Sequence, residues 1–521
     1  MKTPRHTVST RSVPRLLRRR AKRAVERLYL NKAFRLYTIN KAFRLYILVF
    51  VAVGNLAISF SVAAQPANPL DVPDRPTSLR PDIDLEYFAE AAPKSVRIAL
   101  DPVSGNLHYV TLDGEVFEIR DDDSEPSSVQ IATAADHGII RLQGMVFFDS
   151  TLYLAGNIPV NDAKGTKGRL MRGTLNDDGS RSWSTVFMTE EIGSTKTTFD
   201  HGFNGLTVSP DGAYLYVNSG ARTDHGEIQD NDGTYPGARD EPLTAAVLRI
   251  PTSSHDLLLP NDLDELTENG YLFARGIRNG FDLAFAPGGD LFLVSNSGDY
   301  DHPEDMFWLR EGHHYGFPWI MGGVENPQQY PDFDPDPEKD PFLNPYSHAY
   351  SVGYFHNDPT FPRRPADLVI TPSVANVGPD ANYYRDRATG AVRKGDETGV
   401  AVGTFTPHRS PLGLVFDTDG RLGGGLGGDG LMLSWTNGER SSLMGRVSNL
   451  GADLIHLKLF YSPDLDNYIV QSTRIADGFD GPTDAELVGN VLYVIEYGGS
   501  NANIWKLTLP AADAVRAHDL N

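Results

Sequence analysis

From Ser95 onward the chain alternates short apolar runs with turn motifs, and the same design returns six times. Val96, Ile98 and Leu100 fall on one face of a strand before the turn Pro102-Val103-Ser104-Gly105, and the next run ends at Leu112-Asp113-Gly114. A period of two closed by Asp-Gly or Pro-Gly predicts antiparallel strands joined by tight turns. The first unit covers Ser95–Arg120, and the second covers Leu142–Asn157 with a closing run at Gly168–Leu175. The third pairs Asn204–Gly220 with Ala246–Pro251, and the fourth pairs Phe281–Asn296 with Asp305–Arg310. The fifth opens at Pro411–Gly420 and is expected to close near Leu443–Ser448; the sixth joins Ala485–Gly498 to Asn503–Leu509.

Such a unit is too short to bury a face by itself. Six of them predict an all-β, six-bladed β-propeller with long loop insertions. A sandwich or a pair of β domains has the same local pattern, so the count carries the argument. The expected organisation is a basic N-terminal region over 1–64, a leader over 65–94, the propeller over 95–510 and a tail over 511–521. Insertions fall at 221–245 and 320–405, and are expected as surface loops on one face.

Composition supports this and removes several chemistries. With 50 Gly and 35 Pro the chain is turn-rich, and with no Cys it has neither disulfides nor thiolate sites. The formal charge of -21 is unevenly spread, because residues 1–64 hold 14 Lys/Arg and one acid. The body is therefore more acidic than the whole, and no nucleic-acid or membrane partner is expected for it. Arg18-Arg19-Arg20 and Lys22-Arg23 precede an apolar run from Tyr46 to Ala64 that ends in small residues. That order reads as an export signal cut after Ala63 or Ala64, the alternative being an uncleaved anchor. Either way the body is expected to be secreted or periplasmic. Asn31–Tyr37 recurs at Asn40–Tyr46, and no function is read from the repeat.

Candidate chemistry stands at the strand entrances. Asp200-His201-Gly202-Phe203-Asn204 precedes one apolar run and Arg275-Gly276-Ile277-Arg278-Asn279-Gly280 another. Polar side chains at the openings of buried strands, repeated round a ring, converge on its axis. An imidazole accepts a hydroxyl proton near neutral pH, and a guanidinium pairs with carboxylates. There is no Gly-x-Ser-x-Gly elbow, P-loop or His-Glu-x-x-His, and Gly423–Leu431 is glycine-rich without a following helix.

These segments resemble the glucose/sorbosone dehydrogenase family of soluble quinoprotein propellers. The resemblance rests on the Asp200-His201 pair, on Gly276-Ile277-Arg278-Asn279, on Glu304-Asp305, on Glu311-Gly312-His313-His314-Tyr315-Gly316-Phe317-Pro318, and on His408-Arg409-Ser410-Pro411-Leu412-Gly413-Leu414. It implies an oxidoreductase that oxidises a sugar or related alcohol with pyrroloquinoline quinone (PQQ) and calcium, passing electrons to an external acceptor. It places the general base on His201 and quinone contacts on Arg278 and Asn279; the neighbouring Asp200 is expected to orient the ring or stabilise imidazolium. Arg409 and Arg440 are the further cations near enough in sequence to serve. Calcium is expected on main-chain oxygens of Ser297-Gly298-Asp299, and a second calcium on Glu304, Asp305 and Tyr315. One departure is plain: where the family's last unit opens with arginine, this chain has Asp480-Gly481-Pro482-Thr483-Asp484. Two other readings stand beside the dehydrogenase, a calcium-dependent lactonase or hydrolase and a non-catalytic propeller that binds carbohydrate or protein.

Overall fold

The computed structural model describes residues 76–120, 125–194, 197, 199–399, 402–436, 451–498 and 502–512. Among them the chain is nearly all β, with four short α-helices, and its sheets form the ring of a six-bladed β-propeller. The inner strands are Ser95–Leu100, Arg141–Phe148, Phe203–Val208, Gly280–Phe285, Pro411–Phe416 and Pro482–Val488. Each touches the next, and the sixth touches the first, which closes the circle.

Burial follows from that geometry. An inner strand is covered by blades on both sides, so Phe203–Val208 is buried at all but one position. The outer strand Arg181–Thr189 begins by alternating between half-buried and exposed positions, as a strand with one wet face does. Apolar clusters lie between neighbouring blades, for example Leu206, Leu215 and Leu248 of the third blade with Tyr153, Leu170 and Phe187 of the second.

Three expectations need correction. The stretch 65–94 is not all leader: Asp84–Ala91 pairs antiparallel with Ala502–Thr508 and is the outermost strand of the last blade. Thr77–Ser78 pairs with Asn467–Asp477 in the fifth blade. The third strand of that blade is Asp453–Ser462, paired with Gly430–Ser434. Residues 443–448, expected to close it, lie outside the described residues, as do 1–64 with the export signal. The 221–245 insertion is no solvated loop, because Arg222, Thr223, Asp224, His225 and Glu227 are almost wholly buried.

The 320–405 insertion covers the face at which the inner strands begin. Its Phe333, Phe342, Leu343, Ala349 and Phe355 pack with Phe199 and Tyr300. Phe199 stands two residues before His201, so the insertion walls the candidate site on that side.

Candidate functional site

His201 lies in the loop that opens the inner strand of the third blade. Its Nδ1 lies 3.0 Å from the carbonyl of Ala221. Donating there fixes the neutral tautomer and leaves Nε2 with its lone pair. Burial, aided by the positive charge of Arg278, lowers the imidazole from its usual value to about 3. The ring is thus neutral throughout the ordinary pH range. Asp200 takes a different part from the one expected: it accepts a hydrogen bond from Ser194 Oγ at 2.5 Å, and the ring is held by main chain instead.

Gly220 brings the second polar group close. A Cβ there would stand 2.5 Å from the Cβ of His201 and 3.3 Å from Asn279 Oδ1. Only glycine lets those two side chains flank the strand end. Asn279 Oδ1 also accepts from Asn204 Nδ2 at 3.4 Å. On the other side Asn157 staples the chain just past His201, donating to Phe203 O at 3.0 Å and accepting from Phe203 N at 2.9 Å. Asn157 Nδ2 further reaches Gln143 Oε1 at 3.4 Å. Arg141, Gln143, Asn157, Ser194, Asp200 and His201 line a notch of about 60 Å³. That space takes one or two water-sized groups, such as a hydroxyl, and not a whole sugar ring.

The two described arginines are already engaged. Arg278 is 7% exposed and donates from Nε to Asp224 O at 2.7 Å, from Nη1 to Asn296 O at 3.2 Å and from Nη2 to Asp224 Oδ1 at 3.0 Å. Arg409 is fully buried and grips both oxygens of Asp453, at 2.6 and 2.5 Å, inside the fifth blade. Arg440 lies outside the described residues.

The expected calcium positions divide. Gly298 packs on Asp224, and Asp299 N donates to Asp224 Oδ1 at 3.0 Å, while Asp299 Oδ2 accepts from Ala349 N at 2.7 Å. Glu304 accepts from the main-chain N–H of Ser297 and, at 3.4 Å, of Ser410, and burial pushes its carboxyl up to about 7. It joins the fourth blade to the entry of the fifth. Asp305 accepts from Gly322 N at 2.9 Å, and burial raises it to about 7 as well. Tyr315 does not join them. Its hydroxyl donates to Trp308 O at 2.7 Å and accepts from Arg310 N at 2.8 Å, at the far end of the strand Asp305–Leu309. A five-residue strand spans about 13 Å from its first to its last residue, so the second calcium set is not assembled. Among the described residues no three His, Asp or Glu side chains are grouped to hold a metal ion.

Sequence reasoning missed Gln143, Asn157 and the Asp224 partner of Arg278. Gln143 and Asn157 were signalled weakly, as polar positions on strands that are otherwise apolar (Leu142–Asn157). It also missed His408, whose Nε2 lies 3.0 Å from Asp301 Oδ1 while Asp301 Oδ2 takes Arg385 Nε and Nη2 at 3.0 and 2.8 Å.

No family model and no curated protein sequence matches the chain. Solved structures do. A glucose dehydrogenase matches with 14% identity over 82% of this chain and 100% of its own, at a TM-score of 0.51. The soluble aldose sugar dehydrogenase of Escherichia coli in its apo-form matches with 14% identity over 82% and 99%, at 0.50. The holo form of the pyranose dehydrogenase PQQ domain of Coprinopsis cinerea matches with 12% identity over 87% and 100%, at 0.50. The chain has the fold of the soluble sugar dehydrogenase propellers. At these identities the likeness is one of fold, and function rests on the residues above.

Proposed function

We propose that this protein is an oxidoreductase acting on a hydroxyl carbon of a sugar or related alcohol, with His201 as the general base. The observation that supports it best is the fixed neutral tautomer of His201, its Nδ1 at the Ala221 carbonyl and its ring beside a polar notch. A substrate hydroxyl seated in the notch gives its proton to Nε2, while Gln143, Asn157 and Asn279 orient it by hydrogen bonds. Oxidation to the carbonyl removes that proton together with a hydride, one proton carrying two electrons, from the same carbinol group, so the base acts as the hydride leaves.

PQQ with calcium is the redox partner proposed from the likeness of fold. The described residues fit it poorly. The quinone carries three carboxylates, yet Arg278 and Arg409 are committed to Asp224 and Asp453, and the described cation at the notch is Arg141. No step is derived through the group. The same commitment favours a second reading, a propeller that binds carbohydrate without turning it over. Export to the periplasm or outside the cell is proposed from residues 1–64. Among the described residues no helix is long and apolar enough to cross a membrane.

The deciding experiment supplies the full chain with calcium and PQQ and follows dye reduction across a panel of aldoses. Sugar-dependent reduction that His201→Ala abolishes supports the oxidoreductase. Sugar binding without reduction, and without any spectral change of the quinone, supports the second reading.

A further inference from the structure

A larger hollow lies on the axis at the end away from His201. The inner strands begin near His201, Asn279 and Ser410 and leave at Pro210, Pro287 and Thr418, and a cavity of about 630 Å³ lies among those exits. Its polar part is Arg97, Asp282 and Asp484, with Glu486 beside them; its walls are aliphatic and aromatic, including Leu206 and Phe416. Its polar residues Arg97, Asp282 and Asp484 stand at the third position of their strands, about 7 Å along from the end where the strands begin, and the cavity opens from there to the strand exits.

Arg97 is the telling residue. It is 2% exposed, and its Nη2 donates to Phe281 O, but Nε and Nη1 have no hydrogen-bond partner. The nearer carboxylate oxygen, Asp484 Oδ1, stands 3.9 Å from Nη1, beyond hydrogen-bond reach. A buried guanidinium N–H left unmet keeps the full cost of its lost hydration, so this position calls for an acceptor. The acids are partly engaged. Asp282 takes Leu414 N on Oδ2 and Leu283 N on Oδ1, both at 2.9 Å, and pairs with Asp484, whose Oδ2 takes Ile98 N at 2.9 Å and whose Oδ1 faces Arg97 across the gap. Burial raises both carboxyls and pushes Glu486 up to about 7.

Charge decides what the cavity takes. An anion drawn to Arg97 meets three carboxyl groups, and an inorganic cation drawn to those meets the guanidinium. A neutral hydroxyl satisfies both sides at once, accepting from Nη1 and donating to Asp484 across the gap. We propose that this cavity is a second binding site, for a neutral polyol or sugar, separate from the notch at His201. Its volume falls within the roughly 300–1,000 Å³ usual for small-molecule sites, and its mixed polar and apolar lining suits the two kinds of surface a sugar presents.

Calorimetric titration of the full chain with sorbitol and with glucose tests this independently of any turnover. The expected result is a polyol-binding event that persists in His201→Ala, weakens about tenfold in Arg97→Lys and disappears in Gly288→Trp. The last variant guards against a folding defect, because a Cβ at Gly288 meets nothing within 4 Å, and Gly288 lines the cavity that an indole there is meant to obstruct. Its melting temperature and any sugar oxidation should match the wild type. The proposal is overturned if neither polyol gives heat, if the heat survives Gly288→Trp, or if phosphate or calcium alone produces the Gly288-sensitive event. Failure here leaves the His201 reading untouched, since that reading is judged by dye reduction.

Discussion

Asp224 holds Arg278 twice, through its carbonyl at 2.7 Å and its carboxylate at 3.0 Å, and its other carboxylate oxygen lies 2.8 Å from Nδ1 of buried His225. The carboxylate therefore answers to two cations: burial alone would raise it, but His225 and Arg278 hold it below its usual value. His225 is correspondingly raised, its burial outweighed by Glu227 and Asp224.

Removing that carboxylate leaves a buried guanidinium and a buried imidazole without the acceptor they share. Asp224→Ala should lower unfolding free energy by about 3–5 kcal/mol, with Asp224→Asn costing less because an acceptor remains. Urea denaturation at neutral pH measures both, and a loss below about 1 kcal/mol for Asp224→Ala would contradict the charge argument.

His201→Ala should reduce turnover by about 10²–10⁴-fold with little effect on melting temperature. Because the folded imidazole titrates at about 3, it stays unprotonated between pH 7 and pH 5. The pH–rate profile should therefore lack an acid limb near 6.5 from this group; a limb there that His201→Asn removes would overturn the lowered pKa, and a rate that His201→Asn leaves unchanged would overturn its role as base.

His137 offers a separate check on acid stability. Its Nε2 lies 3.0 Å from Gly114 O while its Nδ1 accepts from Ile139 N at 3.2 Å, so only the neutral ring meets both partners. Burial lowers its pKa below the usual 6.5. The unfolded chain takes up the proton first, so the stability the neutral ring gives is present above 6.5 and shrinks as pH falls below it. His137→Phe should be clearly less stable than the wild type at pH 7.5, with the gap narrowing by pH 5 in thermal melts.

A chain begun at Ser95 lacks the strand Asp84–Ala91 and leaves Ala502–Thr508 as a bare edge. It should lose several kcal/mol, a large part of the ordinary margin of about 5–15 kcal/mol, and aggregate. One begun at Asp74 should melt with the full protein. Light scattering and calorimetry compare the two.

The blades were legible because their turns are chemically explicit: Leu112-Asp113-Gly114 and Pro287-Gly288-Gly289 punctuate apolar runs whose period is that of a strand. His201 and Asn279 were legible as polar residues at strand mouths, and Gly220 explains why they meet. The pairing of Asp84–Ala91 with Ala502–Thr508 was not, since its partners lie some four hundred positions apart and no local signal joins them. Nor was the state of Arg278. Thr223-Asp224-His225-Gly226-Glu227 reads as a solvated loop, yet it is buried under the long insertion, and that burial turns a free-looking guanidinium into an internal tie.

The circle of blades is fastened by an early strand, Asp84–Ala91, lying against the last described one, Ala502–Thr508. While the chain is being made, every preceding blade waits as an open arc with an unprotected edge until Ala502–Thr508 arrives to meet Asp84–Ala91. Ring closure thus cannot precede the making of Ala502–Thr508, and the interval before it is when the protein is most open to pairing with a neighbour.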